Sequence, residues 1–170
     1  DGAGHTITID AKSTGSNADV GGLFMGLRDG AVIKNLTIVV KGFSFGSTSD
    51  TINAGMIAGY AAGGNITIDN VKLVLERTSG DNAPVNDPYV YKNNEGTGTA
   101  INFGGLIGKA ENGTVTISNT TVINNERGTY GFSARNHVKQ GSDAWIGGYD
   151  SNSWTNVGGF VGSVQAGKEG

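Results

Sequence analysis

Apolar residues occupy alternate positions in three short runs: Val32-Ile33-Lys34-Asn35-Leu36-Thr37-Ile38, Ile66-Thr67-Ile68-Asp69-Asn70-Val71-Lys72-Leu73 and Val115-Thr116-Ile117-Ser118-Asn119-Thr120-Thr121-Val122. A period of two predicts half-buried strands, and no stretch carries the 3.6-residue period of a helix. The runs share one register. Ile33, Ile68 and Ile117 stand two residues before Asn35, Asn70 and Asn119, and Leu36, Ile38 and Val40 match Val71, Leu73 and Leu75, with Thr120, Val122 and Asn124 as a more polar third copy. Thr37, Val39 and Lys41, with Lys72, Val74 and Glu76 and with Thr121, Ile123 and Asn125, are then predicted to point outward.

A glycine-rich phrase precedes each run and returns a fourth time near the C-terminal end: Gly21-Gly22-Leu23-Phe24-Met25, Ala54-Gly55-Met56-Ile57-Ala58, Gly104-Gly105-Leu106-Ile107-Gly108 and Gly158-Gly159-Phe160-Val161-Gly162. This alignment puts Leu23, Met56, Leu106 and Phe160 at one position and Phe24, Ile57, Ile107 and Val161 at the next. Gly4-His5-Thr6-Ile7-Thr8-Ile9-Asp10 parallels Gly64-Asn65-Ile66-Thr67-Ile68-Asp69, with Ala11 in place of the asparagine. A recurring unit of this size cannot bury its own apolar face, so neighbouring units must stack. The expected fold is all-β: one domain over residues 1–170, a parallel β-solenoid (β-helix) of about three full coils with half coils at both ends. Repeat spacing varies from 33 residues (Gly22 to Gly55) to 54 (Gly105 to Gly159), which predicts long loops over 42–53, 77–102 and 125–156, after the second strand phrase of each coil.

These residues resemble the bacterial GLUG repeat, in which Gly-Gly-Leu-x-Gly precedes a turn and an alternating strand with asparagine. The opening Asp1-Gly2-Ala3-Gly4-His5-Thr6-Ile7 is similar to the segment that introduces such arrays. The resemblance spans about half the chain. It implies a parallel β-solenoid from a large secreted or surface protein, such as an adhesin or an accessory region of an immunoglobulin A-cleaving peptidase. It brings no catalytic motif, so no functional residue is carried over.

Composition narrows the classes. Thirty glycines in 170 residues exceed twice the usual ~7 %, and their repeat-specific placement marks tight turns and close backbone packing. A net charge of −3 without a basic cluster argues against a nucleic-acid partner. Cysteine is absent, which removes disulfides and thiolate metal sites and fits an exported surface protein. No apolar run approaches the ~18 residues that span a bilayer, so membrane insertion is not expected. The opening Asp1-Gly2-Ala3-Gly4 reads as a mature or trimmed end.

Candidate chemistry is sparse. Asn35, Asn70 and Asn119 are expected to form a structural ladder inside a bend, each amide satisfying the next. Four sequons begin at Asn35, Asn65, Asn112 and Asn119; Asn112, in a turn, is the accessible candidate for glycosylation. Oxygen-rich segments, Asp81-Asn82 with Asn86-Asp87, and Asp143 with Asp150 and Asn152, suit calcium chemically, though solvated turns are the favoured reading and no cofactor is expected. His5 and His137 are too few and too separate for a metal motif, so the metal and catalytic sites are expected to be none. Seven aromatics, Tyr89, Tyr91, Tyr130, Phe132, Trp145, Tyr149 and Trp154, fall in the two long loops. Such rings offer large contact area at low entropic cost, and they form the candidate binding surface for a host protein or glycan. The function read from the chain is an extracellular, non-enzymatic structural or adhesive module, either a segment of a long adhesin or a filament subunit whose partners are further copies or flanking repeats end to end. A carbohydrate-active β-helix enzyme or a glycan-binding module is the alternative.

Overall fold

The computed structural model describes residues 1–16, 19–47, 49–76, 89–92, 100–124, 133–136, 138–140, 144–146 and 154–165. Strands make up the regular structure, and no helix occurs among the described residues. β1 (Thr6–Ser16) comes first. A first tier follows in β2 (Val20–Gly21), β3 (Phe24–Leu27) and β4 (Val32–Ser47). The second tier is β5 (Thr51–Gly55), β6 (Ala58–Leu75) and β7 (Tyr89–Lys92); the third is β8 (Ala100–Gly104), β9 (Ile107–Ser118), β10 (Thr121–Asn124) and β11 (Ser133–Asn136). After the short pair β12 (Val138–Gln140) and β13 (Ala144–Ile146), β14 (Trp154–Gly158) and β15 (Val161–Gln165) repeat the start of a tier.

Equivalent strands of successive tiers pair in parallel. β2, β5, β8 and β14 form one sheet, and the path β11-β7-β4-β6-β9-β15, joined by β1, β3 and β10, forms a nine-stranded second sheet. Only β12 and β13 pair antiparallel among the described strands. The asparagine-centred runs stack in the register their spacing predicts: Ile33 pairs with Ile68 and Ile68 with Ile117, while Leu73 lies between Ile38 and Val122.

The second glycine phrase stacks one residue out of the register predicted against the third, while the third and fourth stack as predicted. Gly55 pairs with Gly104 and Gly104 with Gly158, while Ala58 pairs with Ile107 and Ile107 with Val161. The repeated phrase is therefore Gly55-Met56-Ile57-Ala58-Gly59, and Ile57, not Met56, stands level with Leu106 and Phe160. Close approach explains both glycines. A Cβ on Gly55 would lie 2.6 Å from the Leu106 carbonyl oxygen, one on Gly108 2.6 Å from the Gly59 carbonyl oxygen, and one on Gly162 2.6 Å from the Phe103 nitrogen. Backbone cannot move aside as a flexible side chain does, so the spacing Gly-x-x-x-Gly is a steric requirement of the turn.

β1 also stands elsewhere than its sequence match suggests. Thr6 to Ile9 pair with Thr37 to Val40, and Ala11 pairs with Phe43. Ala3, not Ala11, is level with the asparagines: Gly2 N and Gly4 N donate to Lys34 O and Asn35 O. Ala3 shares their left-handed backbone, with φ of 48° against 54°, 51° and 49° at Asn35, Asn70 and Asn119. That conformation costs an ordinary L-residue ~1–2 kcal/mol and is tolerated best by glycine and asparagine. The asparagines therefore mark where the strand changes direction.

The predicted loops contain strands. Residues 42–47 belong to β4 and pair with β1 and β7; 89–92 and 133–136 are β7 and β11; 51–53, 100–102 and 154–156 lie in β5, β8 and β14. Each predicted loop thus holds strand from the end of one tier and from the start of the next, and 125–156 also holds the β12–β13 pair. Val90 is fully buried in β7, and Phe43 of β4 stacks on Phe103 of β8 with ring centroids 6.0 Å apart. Both sheets feed one core cluster, in which Ile38, Ile52, Ile68, Leu73, Ile101 and Phe103 are inaccessible to solvent. Val74, predicted to point outward, is also buried, flanked in register by Val39 and Ile123.

Candidate functional site

The predicted asparagine ladder exists in altered form and on the outside. Asn70 Nδ2 donates to Asn35 Oδ1 at 2.9 Å, and Asn35 Nδ2 donates to Asp1 Oδ1 at 3.2 Å. Asn119 Nδ2 reaches Asp69 Oδ1 at 2.8 Å instead of Asn70. Asn70 and Asn119 are exposed and Asn35 half-buried, so water competes for these bonds and each is worth little. The expectation of a buried ladder at these positions is corrected; the backbone bend is what requires asparagine there.

Asp69 is the electrostatic centre of this edge. Hydrogen bonds from Ser118 Oγ (2.7 Å) and Asn119, with lesser help from the Asn70 backbone N–H and the Lys34 charge, hold its carboxyl below the usual range against the opposing desolvation. Lys34 Nζ also stands 3.7 Å from Asp1 Oδ2 on the surface. These groups satisfy one another, and the arrangement aligns tiers.

A second amide ladder is buried. Asn53 of β5 and Asn102 of β8 are 7 % and 5 % exposed, and Asn102 Nδ2 donates to Asn53 Oδ1 at 2.8 Å. Asn156 of β14 pairs in register with Asn102. Sequence reasoning missed these residues because they lie inside predicted loops, yet a signal was present: Asn53-Ala54-Gly55, Asn102-Phe103-Gly104 and Asn156-Val157-Gly158 place asparagine two residues before the first turn glycine in three tiers.

One polar cluster sits on the outer side of the 58–62 segment. The Tyr60 hydroxyl donates to Glu111 Oε1, and Lys109 Nζ lies 2.6 Å from Glu111 Oε2. Tyr60 stands between Gly26 and Lys109 in register. A phenol, an ammonium and a carboxylate on a rigid sheet can accept hydrogen-bonding ligands such as sugars.

The aromatic binding candidates are not loop residues where the structure describes them. Tyr89 and Tyr91 belong to β7, Trp145 to β13 and Trp154 to β14. Tyr130, Phe132 and Tyr149 lie outside the described residues, as do Asp81, Asn82, Asn86, Asp87, Asp143, Asp150, Asn152 and His137. Among the described residues no group of three or more His, Cys, Asp or Glu is placed to hold a metal. Asn112 sits at an exposed turn with φ of 54°.

Exposed apolar residues gather at the two ends of the stack: Ile7, Leu23, Phe24, Met25 and Val32 at one, Phe160 and Val164 at the other. Among the described strands β2 and β3 pair on one side, and so do β14 and β15. Compared with protein-family models, curated proteins and solved structures, the chain matches none.

Proposed function

We propose that this chain is a non-enzymatic structural or adhesive module of the bacterial cell surface, built as a parallel β-solenoid of the GLUG-repeat type. One observation carries the reading: chemically equivalent residues stack tier upon tier in parallel register, as Ile33, Ile68 and Ile117 do in the wall and Asn53 and Asn102 do in the buried ladder. A repeat of that kind makes an extended, rigid surface that lengthens by adding units, which suits display and bridging. Placement outside the cell follows from the GLUG resemblance and the absence of cysteine.

A glycan-binding role is the second reading, favoured by Tyr60, Lys109 and Glu111 on one outer face. Incubating the purified chain with a panel of cell-surface polysaccharides and matrix proteins separates the classes. The module reading expects retention of one or more of them with no change in polymer length. Shortening of any polysaccharide, seen as new reducing or unsaturated ends, would make the chain an enzyme and overturn it.

A further inference from the structure

Inside the wall each column repeats one kind of residue from tier to tier: Leu27, Ala61 and Ala110 are all apolar and buried. The neighbouring outward column breaks that rule. Gly26, Tyr60, Lys109 and Ser163 stand side by side in register, four different residues in four tiers. A column that only held tiers together would repeat, as Ile33, Ile68 and Ile117 do. Here the Tyr60 hydroxyl donates to Glu111 Oε1 and Lys109 Nζ lies 2.6 Å from Glu111 Oε2, on strands whose backbones are already paired. Both contacts join side chain to side chain. The Asp29 carboxylate, by contrast, accepts from the Asn65 backbone N–H at 2.8 Å and so secures a turn.

We propose that Tyr60, Lys109 and Glu111 bind a neutral hexopyranose unit of a polysaccharide, with the sugar ring against the Tyr60 ring and its hydroxyls on Glu111 and Lys109. The inference rests on the glycan-binding reading and gives it a site and a ligand class. A pyranose has an apolar C–H face and a rim of hydroxyls, so it is recognised by an aromatic face beside a few fixed polar groups. Each Glu111 oxygen spends one lone pair on Tyr60 or Lys109 and keeps another for a sugar hydroxyl. Lys109 retains two further N–H donors, and the Tyr60 oxygen, having donated, still accepts.

Placement and charge agree with that ligand. Three of the four positions around Tyr60 carry a methyl group or less: Ala58 and Ala62 on its own strand, and Gly26 across from it. Tyr60 itself is half-buried, and the Lys109 and Glu111 side chains are 22 % and 18 % exposed. The three groups sit on paired strands and hold one another in place, so binding costs little side-chain freedom. Lys109 and Glu111 cancel in charge, and the chain as a whole carries −3. A uronate or sulfated polymer therefore gains no attraction and meets the Glu111 carboxylate. The uncharged sugar is the better match.

Titration calorimetry of the whole chain with soluble gluco-, galacto- and manno-oligosaccharides tests the site, with oligogalacturonate as the charged comparison. At least one neutral oligosaccharide is expected to bind, and more tightly than oligogalacturonate. Tyr60→Ala should weaken that binding about tenfold or more through the lost aromatic contact, and Tyr60→Phe only about threefold. Gly26→Gln serves even where Tyr60→Ala disturbs folding. A Cβ on Gly26 would meet only Tyr60 O at 3.6 Å and Tyr60 Cβ at 4.0 Å, which are ordinary contacts. Its longer side chain should therefore cover the ring and lower affinity about tenfold without changing the melting point. Thr116→Gln, exposed elsewhere on β9, should leave binding as it was. Sugar binding that survives both Tyr60→Ala and Gly26→Gln overturns this site and leaves a glycan-binding role elsewhere on the chain. Tighter binding of oligogalacturonate overturns the neutral class. No binding of any sugar at millimolar concentration overturns the inference together with the glycan-binding reading, and leaves the structural module intact.

Discussion

Replacing Asn102 by aspartate tests the buried ladder without changing side-chain shape. In the native chain Asn102 Nδ2 donates to Asn53 Oδ1 over 2.8 Å, with both residues at least nine-tenths buried. Aspartate turns that donor into an acceptor facing an acceptor. Losing the bond and leaving Asn53 Oδ1 unsatisfied costs ~1–3 kcal/mol, and an uncompensated buried charge raises the total to ~3–5 kcal/mol. For a chain of this size that is a fall in Tm of roughly 6–20 °C. The buried carboxyl escapes part of the penalty by keeping its proton, which raises its folded pKa above the unfolded value. The native state then binds the proton more tightly, so stability of the variant falls as pH rises from about 4 towards the raised pKa and levels off above it. Asn70→Asp is the matched control: Asn70 is exposed, aspartate also tolerates its left-handed backbone, and the expected cost is under ~1 kcal/mol. Circular-dichroism melts of the two variants at pH 4 and pH 7 decide the matter. Equal Tm shifts, or a pH-independent shift for Asn102→Asp, would refute the buried ladder.

Gly108→Ala places a Cβ 2.6 Å from the Gly59 carbonyl oxygen, and a loss of ~1–3 kcal/mol or more is expected in urea titrations; Gly159→Ala, with open space around it, should be nearly neutral. Asn119→Gly should hold stability while Asn119→Val lowers it by ~1–3 kcal/mol through the positive φ, readable as a change in melting midpoint. Removing Tyr89–Lys92 deletes a strand paired on both sides around the buried Val90, so the shortened chain should lose its cooperative unfolding transition. Asp69 has a depressed pKa, so its contribution is complete above the ordinary aspartate range and fades as pH falls through that range to the depressed value; Asp69→Asn should remove that acid-side slope from Tm measured against pH.

The sequence carried the strands after each turn well, because Ile33, Ile68 and Ile117 sit in period-two runs long enough to fix their phase. The second glycine phrase slipped by one residue against the third. Ala54-Gly55 and Gly104-Gly105 look alike as small pairs, and only the backbone contacts of Gly55, Gly59, Gly104 and Gly108 reveal which glycines are sterically required. β7, β11, β5 and β8 went unread inside predicted loops. Segments such as Tyr89–Lys92 and Ala100–Gly104 are only four or five residues long, too short for alternation to stand out. The same gap hid Asn53 and Asn102, whose burial depends on long-range pairing. Asn35, Asn70 and Asn119 were found by position but for another reason: asparagine serves a left-handed bend on an exposed edge, a backbone property that hydropathy does not encode. The cluster of Tyr60, Lys109 and Glu111 joins two tiers and has no local signature.

Register-matched spin labels test the stacking itself most directly. Thr6, Thr37, Lys72 and Thr121 form one outward column across four levels. Doubly labelled variants pairing Thr6 with each of the other three are expected to give backbone separations rising by about 4.8 Å per tier, to roughly 14 Å for Thr6 with Thr121. With labelled chain diluted in excess unlabelled chain so that only distances within one molecule are read, separations that fail to rise in even steps, or that place Thr121 nearer Thr6 than Lys72 is, would contradict a wall of parallel tiers and the structural module built on it.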